Sequence, residues 1–407
     1  VSEARAAGEP GDPDERDGPN ARGGSHATVQ AATPRAASAA MSPVDVNAAA
    51  GLPARLAAHT DAAVRDLAWL LFSAGLLRAQ LPSAPLAQPF LHTDDASNAL
   101  DWLDALDREP TPLHDALAAQ APTRLGRYAE TLLGWFLAHG PAARLVAQNV
   151  ALRGEGRTLG ECDFLLEADG EKLHWELAVK CYLHAGGSAL ADYVGPNLRD
   201  RFDWKLTHLR DRQLRLSERP ELAALGFAGP WRAQMFVKGW LFYRATQAAD
   251  TAEPGAPELA ADHLRGWWVT RSGWAAFARA HAADGWSVLP RLAWLAPRRL
   301  GCRADATNGE DLRAATSRPE GGAAEHSGGT KEEGAARSSS AWKARSAVAG
   351  PVDAGTLIDA IAASARPDEP TLVAAFVADG AGGYRERSRG FIVPDDWPGQ
   401  AAAFARE

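Results

Sequence analysis

The chain has 407 residues, 46% of them hydrophobic and 23% charged, with a formal net charge of -8. This is ordinary globular composition with room for two or three domains, and it excludes a protein coated in basic surface, so any nucleic-acid binding has to come from a local patch. The three cysteines, Cys162, Cys181 and Cys302, form no CxxC pair and no spacing typical of zinc sites, which points to a reducing compartment rather than a disulfide framework.

Residues 1–58 are rich in Ala, Gly, Pro and Asp and lack apolar periodicity; such a stretch buries too little surface to order itself and is expected to be disordered. Met41 opens a run that reads as a natural start, which makes the first forty residues an upstream extension of the reading frame. No charged-then-apolar signal pattern is present, and the longest apolar run, Leu67 to Leu77, is too short to span a bilayer. The expectation is a cytoplasmic protein with no membrane partner. From Asp61 the pattern turns helical, is punctuated by Pro82, Pro85 and Pro89, and resumes from Ala99 to Glu109 before Pro110 stops it. Residues 59–120 are read as a helical N-terminal lobe.

The stretch from Arg124 to Leu183 carries an amphipathic helix and then three strand-like runs. Asp169-Gly170 is the dipeptide of a two-residue hairpin turn with positive φ at both central positions. Centred there, the hairpin sorts its residues by face. Cys162, Phe164, Leu166, Leu173, Trp175, Leu177, Val179 and Cys181 fall on an apolar side, where a buried cysteine acts as a small hydrophobe. Glu161, Asp163, Glu167, Lys172, His174, Glu176 and Lys180 fall on the other. The register sets Asp163 opposite Glu176 and Glu161 opposite Ala178. Like charges held that close repel, which signals a shared proton or a bound cation. The bland alternative is a solvated face.

The next segment places Leu198, Phe202, Leu206, Leu209 and Leu216 at helical spacing. Its cations include Arg199, Arg201, Lys205 and Arg212, a basic helix suited to nucleic-acid phosphates beside a metal site; salt bridges on a wet face explain it equally well. His208 and Gln213 on the same helix could contact a phosphodiester, although single residues of this kind are usually just polar surface. Arg232 to Tyr243 reads as a fourth strand. Residues 260–300 hold Trp267, Trp268, Trp274, Trp286 and Trp294 in apolar patterns typical of core. Residues 301–350 form a low-complexity insertion expected to be disordered, and 351–398 should complete a small α+β lobe with 260–300. Arg385, Arg387 and Arg389 alternate along its last strand, as a phosphate-binding face or a charged edge. No phosphate loop, HExxH or GxSxG occurs; Gly154, Gly156 and Gly160 mark a hairpin loop.

The segments RLGRYAETLLGWFL, TLGECDFLL, HWELAVKCYL, VGPNLRDRFDWK, HLRGWW, WLAP and RGFIVPDDWP together resemble the bacterial family known as domain of unknown function 1853. The likeness runs from about Val64 to Trp397, interrupted by the insertion. That family is thought to be related to the PD-(D/E)XK nucleases. The resemblance implies an α/β fold in which residues 121–245 form a restriction-endonuclease-like mixed sheet flanked by helices, ordered helix, three strands, helix, strand. It also implies a nuclease using Mg²⁺ or Mn²⁺, with Glu130 from the helix, Asp163 from the second strand, and Glu176 and Lys180 from the third as catalytic residues. Asp163, Glu176 and Glu161 would be the metal ligands. The superfamily usually separates its third-strand acid from its lysine by one residue, and here that position is Ala178. Either Glu176 serves from one step lower, or Glu161 supplies the carboxylate from the neighbouring strand, or the fold is a catalytically inactive module that binds nucleic acid or protein.

Overall fold

Asp61 starts the first long helix by accepting the N–H groups of Ala63 and Val64 at 3.0 and 3.1 Å, the usual way a short acidic side chain satisfies an open first turn. The computed structural model describes residues 52–79, 85–154, 156–245, 255–301, 343–364 and 366–407. The expectations for residues 1–51, for most of the 301–350 insertion and for Cys302 lie outside them. Helix α1 (Leu52–Ala58) begins inside the stretch expected to lack structure. It is held by Arg55, which donates to Asp101 at 2.7 Å and Asp104 at 2.6 Å, an anchor 46 residues away that local pattern does not show. Helices α2 (Ala62–Phe72), α3 (Thr93–Arg108), α4 (Thr111–Gln120) and α5 (Leu125–His139) follow. The third begins at Thr93 rather than Ala99, because Asp95 reaches back to the His92 N–H at 3.0 Å and caps an extra turn.

The strands are β1 (Arg144–Gly154), β2 (Arg157–Ala168), β3 (Glu171–His184), β4 (Tyr193–Val194), β5 (Arg232–Arg244), β6 (Arg265–Thr270), β7 (Gly285–Val288), β8 (Arg299–Leu300), β9 (Thr371–Ala378) and β10 (Tyr384–Val393). They make one mixed ten-stranded sheet in the order β1-β2-β3-β5-β6-β10-β9-β7, with β4 on β3 and β8 on β10. Pairing is parallel for β3 with β5, β5 with β6 and β6 with β10. β5 is buried without a break from Gln234 to Phe242, as a central strand covered on both faces must be. On one face α2 to α5 set Leu67, Leu132, Leu133 and Phe136 against Phe164, Leu173, Trp175 and Phe236. On the other, helix α6 (Phe202–His208) packs Phe202, Leu206 and Leu209 on Ala178, Tyr182, Met235 and Val237.

The hairpin turn has positive φ at Asp169 (49°) and Gly170 (77°), and Phe164 lies opposite Trp175, the register read from the turn. The single long helix over 198–216 does not form. Leu198 has a left-handed φ of 50°, α6 starts only at Phe202, and residues Leu209–Gln213 form a wide turn closed by the Leu214 N–H to the Leu209 carbonyl at 2.9 Å. A bond across five residues inserts one residue into the helical period and rotates Gln213 inward.

The tryptophan-rich segment and the last strands extend the same sheet rather than a separate one. Trp268, Trp274 and Trp286 are buried, and helices α7 (Pro220–Ala224), α8 (Arg271–Ala280), α9 (Ala354–Ala362) and α10 (Trp397–Phe404) complete the covering layers. Arg389 does not share a face with Arg385 and Arg387. The register slips between Glu386 and Ser388, and this bulge turns Arg389 into the interior. There it donates to the carbonyls of Trp294, Leu295 and Ala296.

Candidate active site

The ladder between β2 and β3 stops at Phe164 and Trp175, one pair before the two acids. Where the strands part, the Asp163 side chain takes over the backbone's role, its Oδ2 accepting the Leu177 N–H at 2.9 Å. The even-numbered side chains of β3 face the α6 layer. Glu176 is fully buried there. Its Oε1 lies 2.8 Å from His174 Nε2, and its Oε2 accepts from Gln213 Nε2 at 2.5 Å. Gln213 Oε1 in turn accepts from Lys205 Nζ at 2.9 Å, and His174 Nδ1 is 3.0 Å from Ser217 Oγ. The wide turn after α6 is thus what carries Gln213 to the carboxyl group.

Burial sets the protonation of this cluster. It pushes Glu176 up to about 8 and Asp163 up to about 7, the latter helped by the charge of Glu176. Glu130 on α5, ion-paired with Arg127 at 2.8 Å, rises to about 7 through burial and then through Asp163. His174 is driven down to about 4 by burial, so His174 and Glu176 form a neutral pair at pH 7. Lys205 is lowered as well, by burial and by Lys180.

The sequence candidates separate accordingly. Asp163 on β2 and Glu176 on β3 lie beside each other, and Glu130 on α5 is in electrostatic reach of Asp163. Glu161 stays at the rim, 41% exposed and 3.9 Å from Arg127. Lys180 is turned to Asp200, which also accepts from the Tyr182 hydroxyl at 3.1 Å. Lys205, read as part of a basic surface, faces inward to Gln213. Arg201 is 6% exposed, gripping Asp203 at 2.9 and 2.7 Å and the carbonyls of Phe404 and Ala405. It clamps the end of α10. Arg199 and Arg212 are exposed.

Cys162 is a correction of side. Asn149 in β1 has a left-handed φ of 54°, directly before Val150, the partner of Cys162. Cys162 lies away from the Phe164 side, in a small cluster with Leu152 and Leu216. Ligand atoms of Cys162, His174 and Glu176 lie within 4.8 Å of one another, while burial pushes the thiol up to about 12. His174, Gln213 and Cys162 are thus parts of the site that strand patterning did not single out. The alternation His174, Glu176 on one face was the only signal for the first, the wide turn after α6 decided Gln213, and packing with Leu152 and Leu216 decided Cys162.

Residues 65–326 match the sequence profile of the family described as Domain of unknown function (DUF1853). The chain belongs to this family. No curated protein and no solved structure matches it. Among the described residues of this family member, no helix is long and apolar enough to cross a membrane.

Proposed function

We propose that this chain is a metal-dependent hydrolase of nucleic-acid phosphodiester bonds, built on a core related to the PD-(D/E)XK nucleases. Support comes first from the order α5, β1, β2, β3, α6, β5, with the short β4 and α7 interposed before and after α6, and with β5 parallel to β3. The observation that carries the reading is the buried pair Asp163 and Glu176, with Glu130 in electrostatic reach of Asp163; their carboxyl groups retain protons up to about 7, 8 and 7. Paired acids that hold protons against neutral water are groups a divalent cation would deprotonate and satisfy. The donor set fits such an ion: hard carboxylate oxygens suit Mg²⁺ or Mn²⁺, with Asp163 and Glu176 as ligands and Glu130 and Glu161 at the rim.

When bound, the ion supplies Lewis-acid polarisation of the phosphate and a more acidic water. The chain's own groups do the rest. The Leu177 N–H fixes the Asp163 carboxylate. His174 and Gln213 fix that of Glu176, each by one oxygen. The ammonium groups of Lys180 and Lys205 bind non-bridging phosphate oxygens. Hydrolysis adds water across one P–O ester bond, the water oxygen going to phosphorus and a proton to the leaving oxygen.

One observation favours a second reading, a nuclease-like module that binds without cleaving. Ala178, two residues before Lys180, is packed in an apolar cluster, and both oxygens of Glu176 are already engaged. Calorimetric titration with Mg²⁺ and Mn²⁺, together with cleavage of mixed DNA and RNA on the same samples, decides between them. Micromolar to millimolar metal uptake and cleavage that both vanish in Asp163→Ala are expected; nucleic-acid binding with neither metal uptake nor cleavage would establish the module instead.

A further inference from the structure

Beside the acidic cluster, at the far end of β3, lies a cavity of about 590 Å³, within the range of small-ligand sites. Five cationic side chains line it: Arg124, Lys180, Arg199, Arg291 and Arg366. Only two acids share that lining, Asp200, paired with Lys180, and Glu369, paired with Arg366 at 3.4 Å. Cations thus outnumber acids in this lining, in a chain of net charge -8. Arg124 and Arg199 are exposed and have no ion-pair partner among the described residues. Leaving such charges unpaired together costs stability through mutual repulsion, and a bound anion relieves it.

The backbone points the same way. Arg124 is the N-cap of the 15-residue helix α5 but makes no side-chain cap, and Leu125 and Gly126 of its first turn line the cavity. A side chain at Gly126 would meet nothing within 4 Å, so this first turn borders open space, and helix N-termini favour anions. The cations converge on one cavity rather than forming a stripe, which matches one doubly charged group better than a tracked backbone.

We infer that this cleft binds a phosphate monoester of the nucleotide class, carried by a free nucleotide or by the phosphorylated end of a strand. Lys180 lines this cleft and is also one of the phosphate-binding groups of the hydrolase reading, so the inference rests on that reading for its purpose, placing a strand end near the cleaving groups. Binding itself is measured without metal. In EDTA, the affinities of AMP, of a 5′-phosphorylated, a 3′-phosphorylated and an unphosphorylated oligonucleotide are compared by calorimetry and fluorescence anisotropy. One of the phosphorylated probes is expected to bind at least tenfold tighter than the hydroxyl probe, with inorganic phosphate competing. AMP binding as tightly as the oligonucleotide identifies a free nucleotide; weaker AMP binding identifies a strand end.

Arg124→Ala combined with Arg199→Ala should lose at least tenfold in affinity. Gly126→Asp should do the same while leaving the fold intact, since an acid in the first turn suits the helix. Phosphorylated and hydroxyl probes binding alike, or variants binding as the wild type does, would overturn the inference. Asp163→Ala keeps the two readings apart: phosphate binding retained with no cleavage by the wild type leaves the cleft standing and the hydrolase fallen, and metal-dependent cleavage without monoester binding does the reverse.

Discussion

Asp163 and Glu176 are held above the ordinary carboxylate range chiefly by burial, and this gives the site a pH signature. A carboxyl whose folded pKa exceeds its unfolded value near 4 binds a proton the unfolded chain has already lost. Stability therefore falls as pH rises from about 4 to about 8, by about 1.4 kcal/mol for each unit of displacement. His174, lowered to about 4, works oppositely and only below about 6.5, where the unfolded imidazole gains its proton. The clean comparison is between variants: the stability of Asp163→Asn relative to wild type is expected to increase from about pH 4.5 to about 7 and level off above it, read by denaturant titration, and saturating Mn²⁺ should erase much of that gain. A difference independent of pH would contradict the buried-acid account. Lys238 gives a second signature away from the site. It is 6% exposed, bonded to the Ser73 carbonyl and lowered to about 7 by burial. Its buried charge is costly below pH 7, and the cost is lost as pH rises from about 7 towards 10.5. Lys238→Met should therefore gain most over wild type at pH 6 and least at pH 9.

Among the elements, β3 and β5 are the frame on which the site hangs, and their close parallel pairing depends on Gly239. Opposite Lys180 in register, it has a φ of 150°, and a Cβ there would fall 1.7 Å from the Lys180 carbonyl oxygen. Gly239→Ala should cost ~3 kcal/mol or more of stability by forcing the two strands apart, measured as a lower midpoint in urea, with Lys180 displaced from Asp200. The wide turn after α6 is the other critical piece, because it delivers Gln213. Gln213→Leu should leave secondary structure unchanged, judged by far-UV circular dichroism, and weaken divalent-metal uptake at least fivefold if the amide holds Glu176 in place.

For the molecule as a whole, Asp66 ties the helical layer to the distant end of the sheet. It is fully buried in α2, accepts the Tyr128 hydroxyl at 2.9 Å and the Ala296 N–H at 2.9 Å, and faces Arg298 at 2.9 Å. Removing one partner of such a pair leaves an uncompensated buried charge. Arg298→Met is expected to cost about 3 to 5 kcal/mol and to loosen the 296–298 segment from α2, seen as faster hydrogen exchange at Ala296. Arg389 performs the same service from β10, bonding three consecutive carbonyls. The C-terminal strands, which read in sequence as a small lobe of their own, continue one sheet through the pairing of β6 with β5 and with β10.

The alternating apolar residues of β2 and β3, the Asp169-Gly170 turn and the stripe of α5 are local properties, written in period and turn chemistry, so the hairpin, its register and the meeting of Asp163 with Glu176 were legible from the sequence alone. So was membership of a family, from the motifs around Glu130, Asp163 and Lys180. Three things were not: the side that Cys162 takes, the inward turn of Gln213 and Lys205, and the burial of Arg201 and Arg389. Gln213 depends on a break in regular geometry at Leu209–Gln213 and Arg389 on one between Glu386 and Ser388, while Cys162 and Arg201 depend on partners many residues away. Period arguments assume an unbroken strand or helix. Only the packed structure decides where the break is stabilised, and there it determined which charges face the acids and which hold the fold together.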